Sequence, residues 1–190
     1  MWLVAGLGNP GPRYERTRHN VGFRVVERLL GGSSPAGRRR FEALVNRGRI
    51  GGDEVIYLRP QTYMNLCGRS VAGAVRYFRL GPDRLLVVHD DLDLPLGRLK
   101  LTTGGGAGGH KGVQSIIAAL DTDEFGRLRV GIDRPRYEEA VEDFVLNPFY
   151  ADQQAAADRM IDLAADAVQS WIREGPQATM NRFHGDLKLN

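Results

Sequence analysis

The chain has 190 residues, 42% of them apolar and 26% charged, a size and balance that suit one compact domain and exclude wholesale disorder. A single cysteine, Cys67, excludes an intrachain disulfide framework and every multi-cysteine zinc or iron–sulfur motif. No apolar run is long enough to cross a membrane, and Gly6 interrupts the first apolar stretch too early for a signal peptide, so a soluble, cytoplasmic protein with no membrane partner is expected. The net charge of +3 divides unevenly: 17 basic and 9 acidic residues up to residue 100, then 9 and 14, or about +8 and −5. Of the 26 basic residues 23 are arginine, which binds phosphate oxygens bidentately. The basic half therefore suits a polyanionic partner, against the plainer reading of a solvated surface.

Residues 1–8 read as a buried strand closed by the turn Gly8-Asn9-Pro10-Gly11-Pro12, and residues 21–30 as a helix with Val21, Val25, Val26 and Leu29 on one face. The Gly-, Ser- and Arg-rich stretch 31–40 is the best candidate for a mobile loop. Strands at 43–50 and 54–58, joined by Gly51-Gly52-Asp53, predict a hairpin. A helix follows at about 65–78, and Leu85-Leu86-Val87-Val88 is an apolar strand of the kind buried on both faces. A strand at 98–103, a helix marked by Val113, Ile116, Ile117 and Leu120, a strand at 127–132 and a short helix at 138–146 come next. The strongest helix pattern spans 153–173. Alternation of this kind predicts a single α/β domain over 1–190, a mixed twisted sheet with helices on both faces.

Two glycine patterns invite functional readings. Gly6-x-Gly8-x-x-Gly11 has dinucleotide-binding spacing, but Pro10 and Pro12 bracket its last glycine and no helix opens there, so that reading is set aside. Five glycines within positions 104–109 lead through His110 and Lys111 into a helix, an arrangement that can bring backbone amides close to an anion. A flexible strand-to-helix connection is the alternative.

Polar residues gather at the ends of apolar elements: Asn9, Arg18-His19-Asn20, Met64-Asn65, and His89-Asp90-Asp91-Leu92-Asp93. In α/β sheets, ligand sites collect at the carboxyl ends of strands, so Asn9 and Asp90 are placed to reach one crevice. A histidine oriented by a carboxylate can serve as a general base. The alternatives are a helix-end or surface role for His19, and a metal site built from His89 and the three aspartates. Cys67 sits in an apolar helical context and reads as packing.

These segments in register resemble the bacterial peptidyl-tRNA hydrolase family: Val4-Ala5-Gly6-Leu7-Gly8-Asn9-Pro10-Gly11, Tyr14, Thr17-Arg18-His19-Asn20-Val21-Gly22, Pro60-x-Thr62-Tyr63-Met64-Asn65-x-x-Gly68, His89-Asp90-Asp91-Leu92-Asp93-Leu94-Pro95-x-Gly97, the glycine run through His110, Arg127–Ile132 and Asn181-Arg182-Phe183-His184. The resemblance implies hydrolysis of the ester joining a peptide to the terminal ribose of tRNA, by a monomeric enzyme needing neither metal nor cofactor. It implies His19 as the base that activates water and Asp90 as the holder of its ring, with Asn9 and Asn65 gripping the peptide amides and orienting the ester. Tyr14, Tyr63, Met64, His110 and Lys111 are expected on the substrate, and Lys100 and Arg129 on tRNA phosphates. Two positions depart from the family pattern. Lys111 stands where an asparagine is expected, and Thr102 where some members carry a lysine, for which Arg98, Lys100, Arg129 and Arg134 are the available substitutes. The rival reading is an RNA-binding protein on the same fold that has lost hydrolysis.

Overall fold

A computed structural model describes residues 1–32 and 37–184. Its frame is one seven-stranded sheet in the order β2-β3-β4-β1-β5-β7-β6. The strands β1 (Trp2–Gly6), β4 (Asp53–Pro60), β5 (Leu85–Asp91) and β7 (Gly126–Gly131) form a parallel centre. The strands β2 (Arg38–Arg40) and β3 (Ala43–Ile50) extend one side antiparallel, and β6 (Leu99–Thr103) closes the other against β7. The sheet is thus mixed, as the alternation of elements predicts, and the hairpin of β3 with β4 is formed.

β1, the middle of β4 and the first half of β5 are apolar because both of their faces are covered. On one face Val4, Val55, Leu86, Val88 and Leu128 meet α1 (Val21–Leu29) and α5 (Gln154–Glu174), whose Met160, Ala164, Val168 and Trp171 recur at helical spacing. On the other face Leu3, Ala5, Ile56, Leu58 and Val87 meet α2 (Cys67–Phe78) and α3 (Lys111–Leu120) through Val71, Ala74, Val113 and Ile116. Fully burying each of the valine, leucine, isoleucine and methionine side chains among these contributes about 1.5–3 kcal/mol relative to leaving it in water.

The structure corrects several boundaries. Part of the stretch expected to be loop is strand: Arg38–Arg40 pairs with β3, while residues 33–36 of that stretch lie outside the described residues. β5 runs on through His89, Asp90 and Asp91, because each pairs with β7 although none is apolar. The helix expected at 138–146 shortens to α4 (Val141–Val145). A sixth helix, α6 (Pro176–Phe183), follows Gly175, whose φ of +87° turns the chain sharply, and it buries Thr179 and Phe183. Gly6 belongs to packing: a Cβ there would lie 2.2 Å from the Gly22 carbonyl oxygen, so the glycine admits α1 against β1 and serves no dinucleotide.

Candidate active site

The chain leaving β1 enters α1 on one face of the sheet, and the chain leaving β4 enters α2 on the other. Such a reversal opens a crevice beyond the carboxyl ends of the strands. A cleft of about 830 Å³ lies there, and Asn9, His19, Met64, Asn65, Asp90 and His110 are among its walls. Asn9 is held on all sides. Its backbone N–H donates to Asn20 Oδ1 at 2.9 Å, the Asn20 amide donates to its carbonyl at 2.9 Å, and its own Oδ1 accepts the Met64 N–H at 2.8 Å. With Oδ1 occupied, the orientation of the Asn9 amide is fixed and its NH₂ group remains as a donor.

His19 stands on the short 3₁₀ turn Arg18–Asn20 that precedes α1, with Nδ1 2.9 Å from each oxygen of Asp90. Asp90 is buried, and it also accepts from His110 Nε2 at 2.9 Å. His110 caps α3: its Nδ1 accepts the N–H groups of Gly112 and Val113 at 3.1 and 3.2 Å. Because Nδ1 accepts, the ring proton of neutral His110 sits on Nε2 and points at Asp90. Burial alone would disfavour a charged His19, but the Asp90 charge and its hydrogen bond outweigh it, so the His19 pKa lies above its ordinary value of 6.5. Burial likewise opposes ionisation of Asp90, and the two histidines overcome that, holding it well below the usual carboxylate range. His89, pressed edge-on against His110 at 4.7 Å between centroids, is driven down to about 3 by burial and by that neighbour, so it is neutral.

Ligand atoms of His19, Asp90 and His110 all fall within 4.8 Å of one another, a spacing a metal ion could use. The helix cap argues otherwise, since it commits His110 Nε2 to carrying a proton, and a metal there would require the cap to break. The cluster of His89 with three aspartates does not converge. Asp91 is ion-paired with Arg129, Asp93 with Arg134, and only Asp90 faces the histidines.

The remaining expected residues divide. Tyr14, Tyr63 and Lys111 line the cleft, Tyr63 being 60% exposed. Lys111 reaches across to pair with Glu142 of α4, whose Val141 and Val145, with Leu146 just beyond the helix, complete that wall. Arg129 lines the cleft but is tied to Asp91; Lys100, directly opposite it on β6, is exposed outside the cleft lining. Thr102 is also in the wall. Cys67 is buried, donates to the Gly112 carbonyl at 3.4 Å, and its thiol is pushed up to about 12 by burial, so it is inert packing.

Three positioning residues lie beyond the expected set. Asn20 clamps Asn9. Buried Arg127 donates to the carbonyls of Gly105 and Gly106, which orders the glycine run that forms one rim. Arg18, fully buried, lies 3.8 Å from the Phe144 ring centroid and donates to the carbonyls of Phe144 and Asn147, fastening α4 to the turn that carries His19. Arg18 and Asn20 flank His19 in the sequence, so the signal is present there, while Arg127 falls in the segment Arg127–Ile132 that carries the resemblance, with nothing in the sequence pointing it at the glycine run.

Fold and site together define a class, an α/β protein with a carboxylate-held histidine in a cleft at the carboxyl ends of its parallel strands. The Peptidyl-tRNA hydrolase family model matches residues 3–190. The peptidyl-tRNA hydrolase of Thermus thermophilus is 46% identical over 190 residues, covering 100% of both chains, and that of Brevibacillus brevis is 46% identical over 97% of this chain and 98% of its own. Among solved structures, the peptidyl-tRNA hydrolase of Acinetobacter baumannii superposes with a TM-score of 0.90 at 37% identity, covering 98% of this chain and 95% of that one. The chain belongs to the peptidyl-tRNA hydrolase family.

Proposed function

We propose that this chain hydrolyses the ester bond between peptide and tRNA in peptidyl-tRNA, with His19 as the general base. The observation that carries this reading is the seat of His19 in the cleft, its Nδ1 donating to Asp90 so that Nε2 is the free nitrogen. Nε2 takes a proton from water, and the hydroxide so formed attacks the ester carbonyl carbon. The tetrahedral intermediate collapses, the bond to the ribose oxygen breaks, and that oxygen takes the proton back from the imidazolium. Asp90 holds the ring and stabilises its charged form without itself being protonated. The NH₂ group of Asn9 is placed to serve the developing oxyanion or the adjoining peptide amide, and Asn65 on the rim grips the peptide.

Tyr14, Tyr63 and Met64 shape the surface for the tRNA end and first peptide residue, while Lys111 and Arg129 contribute positive charge on the rim and Lys100 contributes it outside the cleft lining. His110 acts through Asp90. No step needs a metal or cofactor. The family supports a cytoplasmic, monomeric, single-domain enzyme, and no helix among the described residues is long and apolar enough to cross a membrane.

The test is single-turnover hydrolysis of an N-blocked aminoacyl-tRNA beside the unblocked one, for the wild type and His19→Ala. Release from the blocked substrate only, reduced by about 10²–10⁴-fold or more in the variant, is expected. Tight binding of both tRNAs with no release would favour the RNA-binding alternative.

A further inference from the structure

Beyond the cleft, β2 and the outer side of α2 form an unexplained surface. β2 buries none of its residues: Arg38, Arg39 and Arg40 are all exposed. The turn that follows it is costly in conformation, since Phe41 and Glu42 both adopt left-handed backbone, with φ of 56° and 52°, and neither is glycine. The turn is nevertheless fastened firmly. The Glu42 carbonyl accepts from the Gln61 N–H at 2.7 Å and from Ser70 Oγ at 3.1 Å, and Phe41 packs against Tyr77 with 5.4 Å between ring centroids. Arg40 is stacked 3.6 Å over the Tyr77 ring, which is itself 52% exposed.

Along α2, Arg69, Gly73, Arg76 and Tyr77 fall on one helical face, and Gly73 lies against Phe41. One turn before Arg69 comes Asn65, so this face begins at the rim of the cleft. Six arginines here, Arg38, Arg39, Arg40, Arg69, Arg76 and Arg79, are exposed and have no acidic partner among the described residues. Elsewhere Arg24, Arg28, Arg47, Arg129, Arg134 and Arg136 are ion-paired, and exposed arginines without an acidic partner among the described residues, such as Arg13, Arg49 and Arg159, are not gathered on one strand and one helix face as these six are. Glu42 is the single carboxylate in the turn.

We propose that this β2–α2 face is a second RNA-binding surface, which takes the phosphate backbone of an RNA other than the substrate seated in the cleft. Stacked guanidinium groups keep their in-plane N–H donors free for phosphate oxygens, and an exposed tyrosine between them offers a platform for an unpaired base. That platform favours RNA over an acidic protein. A symmetric pairing of this face with its own copy is disfavoured by the repulsion of like charges. The expected substrate-phosphate residues Lys100 and Arg129 lie on β6 and β7, toward the opposite edge of the sheet, so the two surfaces are separate. The choice of RNA rests on the family reading above; the existence of a polyanion surface does not.

The experiment compares wild type with the combined Arg38→Glu, Arg40→Glu, Arg76→Glu variant, and separately with Tyr77→Ala. Fluorescence anisotropy follows binding of an oligouridine of about 20 nucleotides between about 50 and 200 mM salt, with polyglutamate as the second probe and hydrolysis of N-blocked aminoacyl-tRNA as the control for folding. Expected are a loss of roughly tenfold or more in oligouridine affinity for the triple variant, a log–log salt slope shallower by about two, weaker binding by Tyr77→Ala, and unchanged kcat/KM. Unchanged oligouridine binding would overturn the surface. A matching rise in KM for tRNA would overturn its separateness by making it part of substrate docking. Polyglutamate bound as tightly as oligouridine would overturn the choice of RNA. If the wild type fails to hydrolyse at all, the binding arms still decide this proposal, with circular dichroism as the folding control.

Discussion

At Asp90 one buried carboxylate is shared by two imidazole rings, 2.9 Å from His19 Nδ1 and 2.9 Å from His110 Nε2. Its low pKa keeps it ionised, and if His19 is the base proposed above, its raised pKa sets the acid limb of activity. The base must be neutral, so kcat/KM should rise with pH through an inflection above 6.5, the ordinary histidine value. Asp90→Asn leaves burial to act without the opposing charge, so its inflection should move down while the rate falls by about 10²-fold or more; an inflection that stays put would show that another group titrates. The same shifts bear on stability. A raised His19 pKa stabilises the fold below the unfolded value and loses effect as pH rises through the folded pKa. A depressed Asp90 pKa stabilises above the unfolded value and loses effect as pH falls. The pair therefore contributes most between 3.8 and 6.5. His110 joins this chemistry to a helix end. Replacing it with alanine should cost about 0.5–2 kcal/mol of stability through the lost cap and also lower kcat. His110→Asn restores the cap without the contact to Asp90, so stability should recover in urea unfolding and kcat should not. Recovery of both would reduce His110 to a structural cap.

At the scale of elements, the cleft wall made by α4 is held differently at its two ends. Arg18 anchors its C-terminal end through buried contacts, whereas the Lys111–Glu142 ion pair at the other end is exposed and screened by salt. Glu142→Gln should free Lys111 to meet a phosphate and lower KM for peptidyl-tRNA a few-fold at low salt, with the difference vanishing at about 1 M salt and kcat unchanged; a fall in kcat would place Glu142 in the chemistry. Legibility in the sequence follows the same division. Elements with strong apolar periodicity, β1, α2 and α5, stood where the pattern put them, and the residues Asn9, His19, Met64, Asn65, Asp90 and His110 gather at one cleft. The misses are polar or short. β2 carries no apolar residue, so its pairing with β3 left no hydrophobic trace. β5 is extended by ladder partners on β7, contacts distant in sequence. α6 was announced only by Gly175-Pro176, a start signal easily taken for a chain end. Nor does sequence show that Arg129 and Lys111 are already committed to Asp91 and Glu142.

For the molecule as a whole, the distance between His19 and Asp90 depends on how closely three elements cross. His19 precedes α1, Asp90 lies near the end of β5, and β1 is the strand beside β5 in the sheet. At the crossing sits Gly22: a Cβ there would lie 2.4 Å from the Leu7 N and 2.4 Å from the Val88 carbonyl oxygen, both backbone atoms of a central sheet with little room to move. Gly6 meets the same crossing from β1, where an added Cβ would lie 2.2 Å from the Gly22 oxygen. Glycine is used here for contact distance, because Gly22 has ordinary helical backbone. Gly22→Ala must therefore lift α1 away from the sheet, and the first consequence is overpacking that costs about 1–3 kcal/mol. The second is catalytic, since lifting α1 carries the His19 turn with it and stretches the hydrogen bond to Asp90. The expected outcome is a lower urea midpoint with an unchanged m-value, and a reduced kcat at temperatures where the variant is still folded. Val25→Ala on the same helix removes buried side chain without pushing on the sheet. It should cost comparable stability while leaving kcat close to wild type, so equal losses of kcat in both variants would show that the crossing sets stability alone and not the seating of the base.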